Sequence, residues 1–239
     1  MPELSLPIIG YMRSPFVEKF GIPRQPNLVQ VESYIEMLSP YNDPLAFQGI
    51  DEFSHLWLIW QFHDNKQQGK TNFRPQVRPP RLGGNQKIGV FATRSMYRPA
   101  PVGLSVVQLQ RIEQQGKSLK VFVTGSDLLD GTPILDIKPY IQYSDAIVDA
   151  KSAYAQDEPL RKTVVWSDEA MTQKERLIQQ AKVTIQTIAE IDAVLAFDPR
   201  PAYQDDENRV YGMKFSTVDI QFRVTEQTIE ILQVISAGK

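Results

Sequence analysis

Residues 102–124, VGLSVVQLQRIEQQGKSLKVFVT, decide the fold. Two runs rich in Val, Leu, Ile and Phe, Val102 to Ile112 and Leu119 to Thr124, flank Glu113 to Gly116, a short polar stretch ending in glycine. That pattern predicts two antiparallel strands joined by a hairpin turn. Similar runs lie on both sides. Leu6 to Met12, Leu28 to Leu38 and the aromatic stretch His55 to Phe62 (HLWLIWQF) precede it, each bounded by Pro, Gly, Asn or charged residues. Lys87 to Thr93 and Pro133 to Ile137 complete the set. Six or seven closely spaced strands without intervening helices predict a mainly β protein whose residues 1–145 form a closed or partly closed β-barrel.

Beyond residue 145 the pattern changes. Residues 146–166 read as a linker or irregular segment. Ser167 is placed to cap a helix, with Asp168 and Glu169 in the first turn, where the helix dipole favours acids. Leu177, Ile178, Ala181, Ile185, Ile188, Ile191 and Leu195 then recur at spacings of three and four, which predicts one apolar helix face ending at Asp198-Pro199. Two strands follow, Tyr211 to Val224 and Thr228 to Val234. Residues 167–239 are therefore expected to form a small α+β appendage.

Composition narrows the chemistry. Of 239 residues, 42% are hydrophobic, enough for a core in each unit, and none is cysteine, which excludes disulfides and thiolate zinc sites. Two histidines, His55 and His63, leave little for a transition metal, so no metal is expected. No apolar run is long enough to span a bilayer, and the expected location is cytoplasmic. The net charge of −2 hides an asymmetry. Asn65 to Ile112 contains no Asp or Glu but nine cations: Lys66, Lys70, Arg74, Arg78, Arg81, Lys87, Arg94, Arg98 and Arg111. Such a stretch is either a polyanion-facing surface or a basic loop neutralised elsewhere in the fold.

No Walker A loop, strand-GxGxxG-helix unit or GxSxG elbow is present. What is dense instead is GVFATRS (residues 89–95), RPAPVGLS (98–105) and DLLDGTPILDIKPY (127–140), with IPRQP (22–26), FSHL (53–56), RPPRLGG (78–84) and DPRPAY (198–203) around them. In this order the motifs resemble those of the TsaA-like, TrmO-type tRNA methyltransferase family over most of the chain. Ala100 departs from the pattern, which has Asn between the two prolines.

The resemblance implies a β-barrel methyltransferase that works as a homodimer, with S-adenosylmethionine bound near the subunit interface. The implied substrate is N6-threonylcarbamoyladenosine beside the anticodon of threonine tRNA, and the implied product carries an N6 methyl group. The cofactor-binding residues it implies are Pro23, Arg24, Gln25, His63, Asp64, Arg94, Leu104 and the turn Asp127, Leu128, Leu129, Asp130, Gly131 and Thr132. Arg94 suits the cofactor carboxylate by bidentate pairing, Leu104 the adenine face, and the 127–132 turn the adenine edge. Asp127 and Asp130 are equally at home as turn residues. Asp136 is the candidate proton acceptor, with Tyr140 beside it. Arg74, Arg78, Arg81, Arg98, Lys138 and Arg200 are candidates for contacts with the tRNA, Arg200 equally for ordering its own segment, and Tyr97, Tyr140 and Tyr203 for stacking on a base. The alternative is a non-catalytic S-adenosylmethionine- or RNA-binding regulator on the same barrel, to which Ala100 points.

Overall fold

The computed structural model describes residues 4–64, 74–83, 85–201, 204 and 206–237; Lys66, Lys70 and Tyr203 lie outside the described residues. The strands are β1 (Gly10–Arg13), β2 (Ser33–Met37), β3 (His55–Gln61), β4 (Gln76–Val77), β5 (Ile88–Gly89), β6 (Val102–Gln115), β7 (Ser118–Thr124) and β8 (Pro133–Pro139). After a short helix α1 (Gln142–Asp145) come β9 (Thr163–Trp166), helices α2 (Asp168–Gln179) and α3 (Ile185–Leu195), and strands β10 (Val210–Phe215), β11 (Val218–Val224) and β12 (Thr228–Ser236).

Six strands close into a barrel in the order β1-β2-β7-β6-β3-β8, with β8 returning to β1. The alternation legible in HLWLIWQF sorts the two faces. Leu56, Leu58 and Trp60 point inward with Met12, Ile35, Val107, Val121, Val123 and Ile134, while His55, Trp57 and Ile59 are half-exposed outside. The hairpin is tighter than expected. β6 runs on to Gln115, which pairs with Ser118, and Gly116 at φ +59° supplies the left-handed backbone of a two-residue turn. Lys87 to Thr93 does not join the barrel. Only Ile88 and Gly89 are extended, against β4, before the chain turns helically at Val90–Ala92.

The expected single helix is two. Ala181 adopts φ +52°, the Lys182 N–H donates back to the Leu177 carbonyl, and Thr184 caps α3 through the Thr187 N–H. The apolar repeat continues across the break because both helices pack on one sheet, ordered β10-β11-β12-β9. β9, within the stretch expected to be irregular, pairs parallel with β12. Ser167 caps α2 as expected, accepting from the Ala170 N–H.

The long β1–β2 connection belongs to both units. Phe16, Val29 and Val31 leave the barrel and are buried in the C-terminal core beside Phe215, Phe222 and Ile191, and Phe16 meets Phe215 edge-on at 5.7 Å. The Ser216 N–H donates to the Pro15 carbonyl across the same seam.

Arg200 forms a second tie. Its side chain is only 6% exposed and donates from Nε and Nη2 to the two oxygens of Asp198, both at 2.9 Å, while its carbonyl accepts from Arg24 Nη2 at 2.8 Å. Burial by itself would push the Asp198 carboxyl up; the hydrogen bonds and charge of Arg200, with Lys162 3.4 Å away, outweigh it and hold Asp198 below the usual carboxylate range.

Two outcomes follow from these ties. Phe16→Ala should cost about 3–5 kcal/mol of unfolding free energy, measured by urea titration, because it empties a site in the C-terminal core. A loss under ~1 kcal/mol would mean that the connection is not part of that core. Arg200→Ala should cost about 3 kcal/mol at neutral pH by stranding Asp198. Because the folded-state pKa of Asp198 is lowered, the pair contributes fully above the unfolded carboxylate pKa and is lost as pH falls through the folded value. The wild-type advantage should therefore shrink in acid, and a pH-independent difference would refute the pairing as its source.

Candidate active site

The barrel's strand directions gather the candidate loops. β1 and β3 end, and β2, β6 and β8 begin, at the same rim where β7 ends. The connections 14–32, 62–101 and 125–132 therefore all emerge there, and every cofactor-binding residue expected from sequence is on one of them or, for Leu104, near the start of β6. The contacts between them are direct. Arg94 Nη1 donates to Gln25 Oε1 at 2.6 Å, Lys19 pairs with Asp64 at 3.1 Å, and the positive field of Arg94 reaches Asp127. Asn27 hydrogen-bonds the carbonyls of Val106 and Gly125. Gly125, at φ +80°, is the residue that permits this, since a Cβ there would strike the Asn27 side chain.

Within this rim the candidates differ in what they have left to offer. Arg94, Arg24, Gln25, His63 and Asp64 are exposed, Pro23 is half-buried, and Leu104 presents 51% of its surface from the outer face. The 127–132 turn is largely committed internally. The N–H groups of Asp130 and Gly131 donate to the carbonyls of Phe16 and Met12, and that of Thr132 to Leu129. The Asp130 carboxylate accepts from the Ser14 N–H at 3.0 Å, the Thr132 hydroxyl donates to Leu129, and the Leu128 side chain is in the barrel core. Asp130, Gly131 and Thr132 thus fasten the turn to β1, and these three N–H groups are not aimed at a ligand. Asp127 is different. Burial pushes its carboxyl up against the opposing hydrogen bond from Ser105 Oγ at 2.6 Å, its own backbone N–H and Arg94. Ser105 and Trp60, whose indole N–H donates to Ser105 Oγ at 3.0 Å, escaped the sequence reading. The available signal was a lone serine on the inward phase of an otherwise apolar strand.

Asp136 lies on the outer face. In the strand register Leu104 pairs with Ile59 and Ile59 with Asp136, so Leu104 and Asp136 sit two strands apart, roughly 10 Å. Asp136 is ion-paired with Lys138 at 2.7 Å and also accepts from the Ile137 N–H. Tyr140 is not beside it. Four residues further along β8, at the opposite rim, it packs with Trp57 (5.8 Å) and His55 (6.2 Å) in a groove completed by Asn27, Val106 and Asp145. Asp145 accepts from the Trp57 indole at 2.9 Å and from the Ile141 N–H, and those bonds hold its carboxyl below the usual range.

The phosphate candidates also divide. Arg74, Arg78, Arg81 and Lys138 are exposed, and Arg98 is half-buried with Nη1 on the Thr93 carbonyl. Arg81 donates to the Asp157 carbonyl. Arg200 is a correction: with its side chain buried against Asp198, it is an ordering residue and does not face a phosphate. Arg111, counted in the acid-free stretch, is neutralised by Glu32 and Glu113, each at 2.7 Å, and lies over the Phe122 ring. Among the described residues no group of three or more His, Cys, Asp or Glu is arranged to hold a metal ion, and no helix is long and apolar enough to cross a membrane.

Comparison with known proteins identifies the family. The family profile described as tRNA-methyltransferase O N-terminal domain matches residues 11–146, and that described as TrmO C-terminal domain matches residues 159–237. The chain is 41% identical over 226 residues to the tRNA (adenine(37)-N6)-methyltransferase of Escherichia coli strain K12, covering 93% of this chain and 94% of that protein. It is 43% identical over 185 residues to the protein of the same name from Eikenella corrodens, covering 77% and 98%. The crystal structure of TrmO from Pseudomonas aeruginosa superposes with a TM-score of 0.80 at 34% identity, over 98% of this chain and 99% of that one. Barrel, appendage and rim motifs together place the chain in the TrmO family of tRNA methyltransferases.

Proposed function

We propose that this protein methylates N6 of N6-threonylcarbamoyladenosine next to the anticodon of threonine tRNA, with S-adenosylmethionine as donor. The coarser activity, S-adenosylmethionine-dependent methylation of tRNA, is that of the family. The observation that carries the reading is the convergence on one barrel rim of Gln25, Arg94, Asp127 and the exposed Leu104, with the exposed Arg74, Arg78 and Arg81 on a connection from that rim.

The residues fit such a donor. Leu104 offers an apolar seat for a flat ring, Arg94 a planar cation for a carboxylate, and Asp127 an acceptor. When bound, the cofactor supplies an electrophilic methyl group on a positive sulfur. The protein's share is to position the acceptor nitrogen in line and to take its proton, with no metal. Asp136, on the same outer face as Leu104, is the proposed proton acceptor, oriented by its ion pair with Lys138. Arg74, Arg78, Arg81 and Arg98 hold the RNA backbone. The protein acts as a cytoplasmic homodimer through the half-apolar outer face of β6, β3 and β8, where Val106, Trp57 and Ile59 are half-exposed and Tyr140 follows the end of β8; an apolar patch on an outer face is suited to association. Tyr140 is thereby assigned to pairing rather than to proton transfer within its own subunit.

Label from methyl-labelled cofactor should enter threonine tRNA isolated from a strain lacking the gene, and should fail to enter the same tRNA lacking the threonylcarbamoyl group. Tight cofactor binding with no label in any tRNA would instead support the regulator that Ala100 suggests. Asp136→Asn should lower turnover by about 10²–10⁴ with cofactor affinity unchanged; near-normal turnover excludes it as the base. tRNA affinity should fall steeply with added salt, and less steeply in Arg74→Ala/Arg78→Ala. Sedimentation should show Val106→Glu shifted toward monomer, and an undisturbed dimer would remove this face as the interface.

A further inference from the structure

Beneath the rim runs a short relay of side-chain hydrogen bonds, from Trp60 through Ser105 to Asp127. The Trp60 indole N–H, which can only donate, meets Ser105 Oγ at 3.0 Å, and Ser105 Oγ meets Asp127 Oδ1 at 2.6 Å. Ser105 is fully buried and Trp60 nearly so. The indole can only donate and the ionised carboxylate can only accept, so the Ser105 hydroxyl accepts from Trp60 and donates to Asp127, in the order indole N–H to hydroxyl to carboxylate. Local packing enforces it: Gly103 leaves room for the Trp60 ring, where a Cβ would collide with it, and Phe62 packs on the ring at 4.4 Å. Leu104, between Gly103 and Ser105, faces outward at the proposed adenine seat, so relay and seat are successive residues of one strand.

We propose that Ser105, oriented by Trp60, is a positioning residue that holds the Asp127 carboxylate as an acceptor for an N–H or O–H donor of the cofactor. This inference rests on the reading that the rim binds S-adenosylmethionine. A buried carboxyl without such a donor takes up a proton and then competes as a donor itself. As a donor to the carboxylate, Ser105 favours the charged form and opposes the effect of burial. Arg94, from the 62–101 connection, is the other charged group whose field reaches Asp127 among the described residues, and it acts in the same direction.

The test is calorimetric titration with S-adenosylhomocysteine across the acidic to neutral range, which needs no turnover. Wild-type affinity should be full while Asp127 is ionised and should decline as pH falls through its titration. Ser105→Ala should weaken binding about tenfold at neutral pH and move the decline to higher pH, since loss of the hydroxyl raises the carboxyl further. Trp60→Phe, which keeps the hydroxyl but frees its rotation, should shift the profile the same way by less. Asp127→Asn should bind weakly with that pH step abolished. Wild-type protein that binds no S-adenosylhomocysteine refutes the cofactor reading, and the Ser105 assignment with it. Wild-type binding with an unshifted pH profile in Ser105→Ala refutes the Ser105 assignment alone. Should Ser105→Ala fail to fold, an unshifted Trp60→Phe profile refutes the relay by itself.

Discussion

The β1–β2 connection is the constraint on which the rest of the molecule depends. Residues 14–32 leave the barrel, bury Phe16, Val29 and Val31 in the other unit's core, and come back along the rim. On the way they supply Ser14 to anchor Asp130, Lys19 to pair with Asp64, Gln25 to hold Arg94 and Asn27 to bond Val106 and Gly125. A flexible loop could make none of these contacts at low entropic cost. Joined at both ends to barrel strands and pinned through Phe16, Val29 and Val31 in the α+β core, it becomes a rigid wall of the site. The C-terminal unit thus contributes to the site without lending it a side chain, and Arg200 does the same by bonding Arg24 through its carbonyl.

That arrangement explains what could be read in the sequence. Barrel strands such as HLWLIWQF announce themselves because one face is dry and the other wet, which stamps a period of two. The rim motifs were legible because Gly, Pro, Arg and Asp crowd there for reasons a core strand does not share. β9 was hidden because Val164 and Val165 are too few to show a period, and its partner, β12, is far away in sequence. The break between α2 and α3 was hidden because Ala181 takes a left-handed backbone without a glycine to signal it. Arg200 is ambiguous in sequence, where a phosphate contact and an ordering role look alike, and the fold shows its side chain buried against Asp198.

The site follows the same division. Arg94, Gln25 and Asp127 lie together at the rim, with Leu104 on the adjoining outer face of β6. Asp130, Gly131 and Thr132 were picked out with them, yet their hydrogen bonds hold the turn against β1. Residue type cannot separate these two roles, since a turn-anchoring aspartate and a ligand-binding one use the same oxygen atoms. The discriminating quantity is which partner the folded chain already provides. By that measure Asp127 alone of the pair keeps its partners on the side chain of a buried relay, leaving the turn's rigidity to its neighbours.

Electrostatics shows why an acid at this rim has to be managed, as the exposed Asp64 is by its pairing with Lys19. A surface meant for an RNA backbone must keep its positive field, and an exposed carboxylate among Arg74, Arg78 and Arg98 would be drawn into ion pairs, as Glu32 and Glu113 are by Arg111. Half-burying Asp127 withdraws it from that competition but disfavours its charged form by desolvation. The Ser105 hydroxyl and the nearby Arg94 offset the desolvation, and Arg94 in turn stays oriented through Gln25. The rim can then present cations outward and one acceptor inward, which are the two opposite requirements that methylating a polyanion with a cofactor bearing both N–H and O–H donors imposes.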